Sequence, residues 1–247
     1  MARYFLKLAY DGTAYHGWQV QQNAHTVQAE LENKLGLMVG GKVSVTGCGR
    51  TDTGVHAREY YAHFEADGLP FNSNDFVYKL NRFLPGDIAV YDLFEVENDL
   101  HARFSAVSRT YKYYINQKKN PFNTRYSYYF KGSLDVEAMN KAAALLKEYD
   151  DFTSFSKLHT QTATNLCSIE KAVWETFNDG EIVFTITADR FLRNMVRAVV
   201  GTLIEVGKGK IEPDGVRLII EAKNRSKAGF SVPATGLFLE KIKYPSF

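Results

Sequence analysis

Arg3-Tyr4-Phe5-Leu6-Lys7-Leu8-Ala9-Tyr10 opens the chain with aromatic and aliphatic residues at a loose period of two, and Asp11-Gly12-Thr13 follows as a turn. This predicts a first strand, and the elements beyond it decide the fold. Thr26 is placed to cap a helix carrying Val27, Leu31, Leu35 and Met38 on one face, ending near Gly40-Gly41. Val43 and Val45 mark a strand over 42–48. Tyr60, Ala62, Phe64 and Ala66 alternate with polar neighbours over 58–66. Asn72 or Ser73 caps a second helix through Phe76, Val77, Leu80 and Phe83, which Pro85-Gly86 stops, and 87–96 is a further strand.

The second half repeats that order. A tyrosine-dense strand runs from Thr110 to Ile115, and Asp135 caps a helix with Val136, Met139, Ala143 and Leu146 on one face. Strands at 168–177 and 181–188 flank a turn at Asn178-Asp179-Gly180, residues that tolerate positive φ. Helices at 191–206 and 213–222 and a strand from Leu237 to Tyr244 complete the chain. Each half therefore reads strand, helix, strand, strand, helix, strand, the order of the ferredoxin-like split βαβ motif. The expectation is an α+β protein of two ferredoxin-like lobes, residues 1–104 and 105–247, with a cleft for a ligand.

Composition bounds what such a protein does. The 247 residues carry 30 Lys and Arg against 28 Asp and Glu, with 17 Phe and 15 Tyr, which is the balance of a folded chain rather than a disordered one. No window approaches the roughly 18 uncharged apolar residues of a membrane span, and the N-terminus lacks a signal-peptide apolar stretch, so a cytoplasmic protein is expected. Cys48 and Cys167 are far apart and read as buried thiols. The six histidines show no ligand spacing, so no metal is expected. A net charge of +2 does not announce a polyanion ligand unless the cations cluster.

Gly47-Cys48-Gly49-Arg50-Thr51-Asp52-Thr53-Gly54-Val55-His56-Ala57 is too polar for a strand, and its three glycines imply unusual backbone or the close approach of another chain segment. Gly49 and Gly54 have phosphate-loop spacing, but Val55-His56 follows where Lys and Ser or Thr are required. Asp11-Gly12-Thr13 lacks the earlier aspartate of a phosphatase motif, since that position is Ala9. Asp52-Thr53-Gly54 matches the D-T-G of aspartic proteases, whose two carboxylates share a proton, but there is only one copy here and the predicted helices are foreign to that all-β fold.

Two further stretches carry cations. If 189–202 is helical, Arg190, Arg193 and Arg197 fall within about 60° of one another, opposite Met195, Val199 and Leu203, which suits a carboxylate or phosphates as well as a solvated face. Arg109-Thr110-Tyr111-Lys112-Tyr113-Tyr114 alternates rings with cations. On a strand Tyr111 and Tyr113 share a face that stacks bases or packs into a core. No RNP1 pattern is present.

Taken in order, Tyr10-Asp11-Gly12-Thr13, Gly17-Trp18-Gln19, Gly49-Arg50-Thr51-Asp52, Leu84-Pro85, His101-Ala102-Arg103-Phe104, Asp151-Phe152-Thr153-Ser154-Phe155, Asn194-Met195-Val196-Arg197 and Gly236-Leu237-Phe238-Leu239 resemble the tRNA pseudouridine synthase A family. Cys48 and Thr53 depart slightly from the residues that family favours. The resemblance implies the pseudouridine synthase fold and isomerisation of uridine to pseudouridine in the tRNA anticodon arm, at positions 38 to 40, by a homodimer with no metal or other cofactor. It makes Asp52 the catalytic aspartate, places Tyr111 on the target base and puts Arg50 in the stack the extruded nucleotide leaves. An ionised aspartate enclosed with a base loses hydration and needs a cation beside it, and Arg197 is the expected partner. Arg58, Lys112, Arg190 and Arg193 are candidates for RNA backbone contacts, with affinity falling as salt rises. A non-catalytic RNA-binding protein and a dimeric aspartic hydrolase are the rival readings. The first makes Asp52 a turn residue; the predicted helices count against the second.

Overall fold

The computed structural model describes residues 1–157, 164–177 and 180–245. The fold is α+β with mostly antiparallel strand pairing. Two compact units are present: Met1–Val107 with the segment from Leu239 onward, and Ser108–Phe238.

In the first unit β1 (Ala2–Tyr10), α1 (Val27–Val39), β2 (Thr46–Gly47), β3 (His56–Ala66), α2 (Ser73–Phe83) and β4 (Ile88–Val96) follow one another. β1 lies between β4 and β3 and is antiparallel to both, while β2 pairs with β3. That central place explains why the period of two in β1 is loose. Adjacent Phe5 and Leu6 point to opposite faces of the sheet and both are fully buried, each worth about 1.5–3 kcal/mol of apolar transfer. Phe5 stacks on His63 and meets Tyr244 edge-on, with ring centroids 5.7 Å apart in each case. α1 starts at Thr26, whose hydroxyl accepts from the Ala29 N–H, and stops at Gly40 in the left-handed region at φ 75°. Asn72 caps α2, which packs against β4.

The strand expected over 42–48 is reduced to Thr46–Gly47. Two side chains of α1 take the backbone groups a neighbouring strand would have used: the Val45 N–H donates to Glu32 Oε1, and Gln28 Nε2 donates to the Val45 carbonyl, both at 2.9 Å.

The second unit contains β5 (Ser108–Asn116), β6 (Tyr128–Tyr129), α3 (Val136–Leu145), β7 (Ile169–Thr176), β8 (Glu181–Ala188), α4 (Met195–Gly207) and α5 (Gly215–Glu221); β9 (Leu237–Lys243) then carries the chain back into the first. β8 lies between β5 and β7, antiparallel to both, and β6 runs parallel to β5. α3, capped by Asp135, packs on β7 and α4. In the turn expected at Asn178-Asp179-Gly180, the first two residues lie outside the described ones.

The arginine-faced helix expected from 191 is not formed as such. α4 begins at Met195, after Asn194 at φ 66°, so Arg190 and Arg193 sit on the preceding loop and do not share a helical face with Arg197. Asp189 holds that loop: its carboxylate accepts from the Ser168 and Arg190 N–H groups at 2.8 and 2.7 Å. α4 itself is buried at eleven of its thirteen positions, and the two exceptions are Arg197 and Glu205.

Candidate active site

In the first unit the loop from Gly47 to Val55 is tied down by the segment that leaves β1. Asp11 caps a 3-10 turn at Gly12–Ala14. The chain beyond it then runs alongside the loop backbone. The Trp18 N–H donates to the Thr51 carbonyl at 3.2 Å, the Gly54 N–H donates to the Tyr15 carbonyl at 3.3 Å, and the Tyr10 and Thr51 hydroxyls are 2.9 Å apart. Contact is close enough to require glycine at two places. A β-carbon on Gly12 would stand 2.0 Å from the Val55 carbonyl oxygen, and Gly17, at φ 90°, faces the backbone of Thr51, Asp52 and Thr53. The other side of the loop rests on rings. Trp18 stacks on Tyr60 with centroids 4.1 Å apart, the Tyr60 hydroxyl donates to the Gly49 carbonyl at 2.5 Å, and Gly47 leaves room for both rings. The buried His56 ring accepts the Gly12 N–H at Nδ1, 3.1 Å away, with Asp11 Oδ1 3.0 Å from the same nitrogen.

Asp52 therefore stands half-buried on a loop whose backbone is fixed on either side of it, and its carbonyl accepts the Val55 N–H at 3.1 Å. Arg50, two residues before, is exposed.

In the second unit Tyr111 lies on β5 opposite Ile186 of β8, and its ring meets Phe191 edge-on at 5.1 Å. Tyr113, on the same face, is wholly buried and donates to the Pro233 carbonyl at 2.9 Å, and burial pushes its phenol well above the usual range. Arg197 is braced by an adjacent strap. Its Nε donates to the Val232 carbonyl at 2.7 Å, and the Val232 N–H returns to the Arg197 carbonyl at 3.3 Å. The strap lies against α4 because Gly201 and Gly229 have no side chains. A β-carbon on Gly201 would stand 1.8 Å from the Phe230 carbonyl oxygen, and the Gly229 N–H donates to the Thr202 hydroxyl at 2.8 Å.

Comparison with known proteins bears on what these residues serve. The family described as tRNA pseudouridine synthase matches residues 142–245. "tRNA pseudouridine synthase A" of Bacteroides fragilis is 53% identical over 98% of this chain and 96% of its own length. The protein of that name from Porphyromonas gingivalis is 51% identical over 100% and 98%, and that from Clostridium acetobutylicum 41% over 97% and 98%. The chain belongs to the tRNA pseudouridine synthase A family.

As an isomerase of that family, the chain distributes its candidate residues over both units. Arg50, Asp52 and Arg58 lie in the first; Tyr111, Lys112, Arg190, Arg193 and Arg197 lie in the second. Arg58 on β3 is 3.6 Å from Glu240 Oε1, and Lys112 is opposite Thr185 on β8. The Arg193 carbonyl accepts the Lys157 N–H, and Arg190 is held through its backbone as described. Among the described residues no group of three or more His, Cys, Asp and Glu is placed to hold a metal ion, and no helix is long and apolar enough to cross a membrane. Cys48 and Cys167 are both buried as thiols. Sequence reasoning missed the positioning residues: Gly17, Tyr15 and Trp18 for the first loop, and Val232 for Arg197. Gly17-Trp18 was visible as a motif, but its contact with residues 51–53 spans too much sequence for local patterning to reveal.

Proposed function

We propose that the protein converts uridine to pseudouridine in the anticodon arm of tRNA, at positions 38 to 40, acting as a cytoplasmic homodimer without a cofactor and with Asp52 as the group that starts the reaction. Isomerisation breaks the bond between N1 and the ribose C1′ and forms one from C5 to C1′. The C5 proton goes to solvent and N1 gains one. The observation that carries the reading is the fixation of the loop on either side of Asp52, by the Trp18 N–H on the Thr51 carbonyl, by the Tyr15 carbonyl on the Gly54 N–H, and by the close approach of Gly17. A carboxylate that must reach one atom of an extruded nucleotide gains rate only if held to within about 0.5 Å of the productive position, and loops are rarely so rigid.

A ferredoxin-like, two-lobed form of the pseudouridine synthase fold is part of this reading, and the other roles are those the family resemblance implies. Arg197 is proposed as the cationic partner of the catalytic carboxylate, and the Val232 carbonyl accepts from its Nε. Tyr111 packs on the target base, its ring steadied by Phe191. Arg50, exposed at the loop tip, fills the stack left by the extruded base, while Arg58, Lys112, Arg190 and Arg193 meet phosphates. Extrusion costs a few kcal/mol, and stacking at about 1–3 kcal/mol per base offsets it.

The deciding experiment is tritium release from C5-labelled uridine in an unmodified tRNA transcript, with EDTA present. Wild-type protein is expected to release label, whereas Asp52→Ala and Asp52→Asn are expected to bind the tRNA without releasing it. Release by Asp52→Ala at a rate near wild type would overturn the assignment of Asp52, and binding without release by wild type would favour a non-catalytic RNA-binding role.

A further inference from the structure

The chain's positive charge is concentrated in one stretch. Between Asp99 and Asp135 there is no acidic residue, yet Arg103, Arg109, Lys112, Lys118, Lys119, Arg125 and Lys131 fall there; setting those seven aside leaves 23 cations against all 28 carboxylates elsewhere. The near-neutral total thus conceals a basic segment on a net acidic remainder, and most of that segment lies in the second unit.

The part from Gln117 to Tyr129 is a built loop. Its ends are fixed where β6 pairs with Ile115 and Asn116 of β5. Inside it the Asn123 N–H donates to the Asn120 carbonyl at 3.2 Å, and the Tyr126 and Ser127 N–H groups both donate to the Asn123 carbonyl at 3.0 Å. The loop borders a cavity of about 280 Å³, near the small end of ligand clefts, whose lining includes Asn116, Lys118, Lys119, Thr124, Ser127 and Tyr128 and, among the described residues, no acidic one. At the tip of the loop Phe122 is 87% exposed, with Tyr126 and Tyr129 also exposed nearby in sequence. Cations, hydroxyl and amide groups, and exposed rings make up the combination that holds a single nucleic-acid strand: cations meet phosphates, and rings meet bases. The cavity of about 1100 Å³ in the first unit, lined by Glu95, Glu97 and Asp99, has the opposite character.

We propose that the Gln117–Tyr129 loop is a second RNA subsite, in which Lys118 and Lys119 hold the phosphates of a nucleotide at the cavity and Phe122 stacks on a neighbouring base, outside the uridine that reacts. This rests on the reading of the protein as a tRNA-modifying enzyme and adds a place where affinity is generated apart from chemistry.

The test uses the full chain and an unmodified tRNA transcript, measuring dissociation constants by anisotropy across a salt series together with tritium release at saturating tRNA. The double variant Lys118→Ala/Lys119→Ala is expected to weaken binding at least fivefold and to flatten the slope of log affinity against log salt by about 1.4 to 1.8, the loss of two phosphate contacts, with kcat unchanged. Phe122→Ala is expected to weaken binding with no change in slope. Lys141→Ala, an exposed lysine of α3 beyond the segment, serves as control and should do neither. Melting temperatures of all variants should match wild type, since these side chains are on the surface. Unchanged affinity and slope in the double variant, with wild type turning over normally, would sink the subsite while leaving the proposed function standing. A wild type that neither binds nor modifies tRNA would sink both. Competition by polyglutamate as strong as by single-stranded RNA at equal charge would also overturn it, as the loop would then read charge without bases.

Discussion

Gly17 lies so close to Thr51 that a β-carbon on the glycine would stand 2.4 Å from the threonine carbonyl oxygen, in a backbone conformation at φ 90° that L side chains rarely adopt. Asp52 is the next residue, so whatever moves the Thr51 carbonyl moves the carboxylate assigned to the chemistry. Gly17→Ala is expected to cost about 1–3 kcal/mol in stability through overpacking and strain, and to lower kcat far more than it raises KM. Thermal melting and steady-state tritium release on the same preparation check this. A variant with lowered Tm but normal kcat would show that the contact serves folding only.

Arg197 and Val232 provide a second test. Lysine at 197 keeps the charge but not the planar guanidinium whose Nε donates to the Val232 carbonyl. Arg197→Lys is expected to lose about 1–2 kcal/mol of stability and at least tenfold in turnover, with tRNA affinity within about twofold of wild type. Turnover equal to wild type would remove Arg197 from the proposed mechanism.

His63 makes stability depend on pH. Burial, with Arg3 and then His101 adding to it, pushes its imidazole down to about 4, from 6.5 when unconstrained, and its Nδ1 accepts the Ala102 N–H at 3.1 Å, which requires the neutral ring. The folded state therefore binds fewer protons than the unfolded one between those values. The stabilisation is complete above pH 6.5 and is lost as pH falls toward 4, at no more than about 1.4 kcal/mol per unit for this group. His101, shifted the same way, adds to the slope. Urea unfolding at pH 7.5, 6 and 5 is expected to show the decline, and His63→Gln, which keeps an acceptor but does not titrate, should reduce it. An identical pH slope in the variant would assign the effect to other groups.

The two cysteines are expected to be inert in the native state. Burial pushes the Cys167 thiol up to about 12, and Cys48 is 1% exposed, its N–H donating to the Tyr61 carbonyl. Iodoacetamide at pH 8, followed by mass spectrometry, should leave both unmodified over a period in which the urea-unfolded chain is labelled twice. Rapid native labelling of Cys48 would mean that the loop beside it opens.

Much of this architecture is legible in the sequence because its signals are local. Thr26, Asn72 and Asp135 announce three helix starts by a side-chain oxygen reaching the backbone N–H three residues on, and Gly40 announces a stop. What is not legible depends on partners distant in sequence. Val45 is apolar and β-branched, yet its backbone is taken by Gln28 and Glu32 of α1, so the strand there shrinks to two residues. The stretch from Phe191 has helical periodicity, but Asn194 in the left-handed region and the Asp189 carboxylate on its loop delay the helix to Met195. In the candidate site the polar, glycine-rich stretch around Asp52 stood out by composition. The segments that hold it and Arg197 did not, because a backbone carbonyl such as that of Val232 carries no side-chain signature. The basic segment was hidden for another reason: a whole-chain net charge averages over it.

The two tryptophans fall one to each unit, Trp18 against Tyr60 and Trp174 against Phe184, with ring centroids 4.1 and 4.7 Å apart. Each unit thus carries a single indole. Replacing either one with phenylalanine leaves a chain whose tryptophan emission, excited selectively at the red edge, follows only one unit, so an ordinary fluorimeter can tell whether the halves melt together or in succession. Trp18 has a further use. Its indole lies against Gly47 and its main-chain N–H donates to the Thr51 carbonyl, so its light is a label-free readout of the ground on which Asp52 stands.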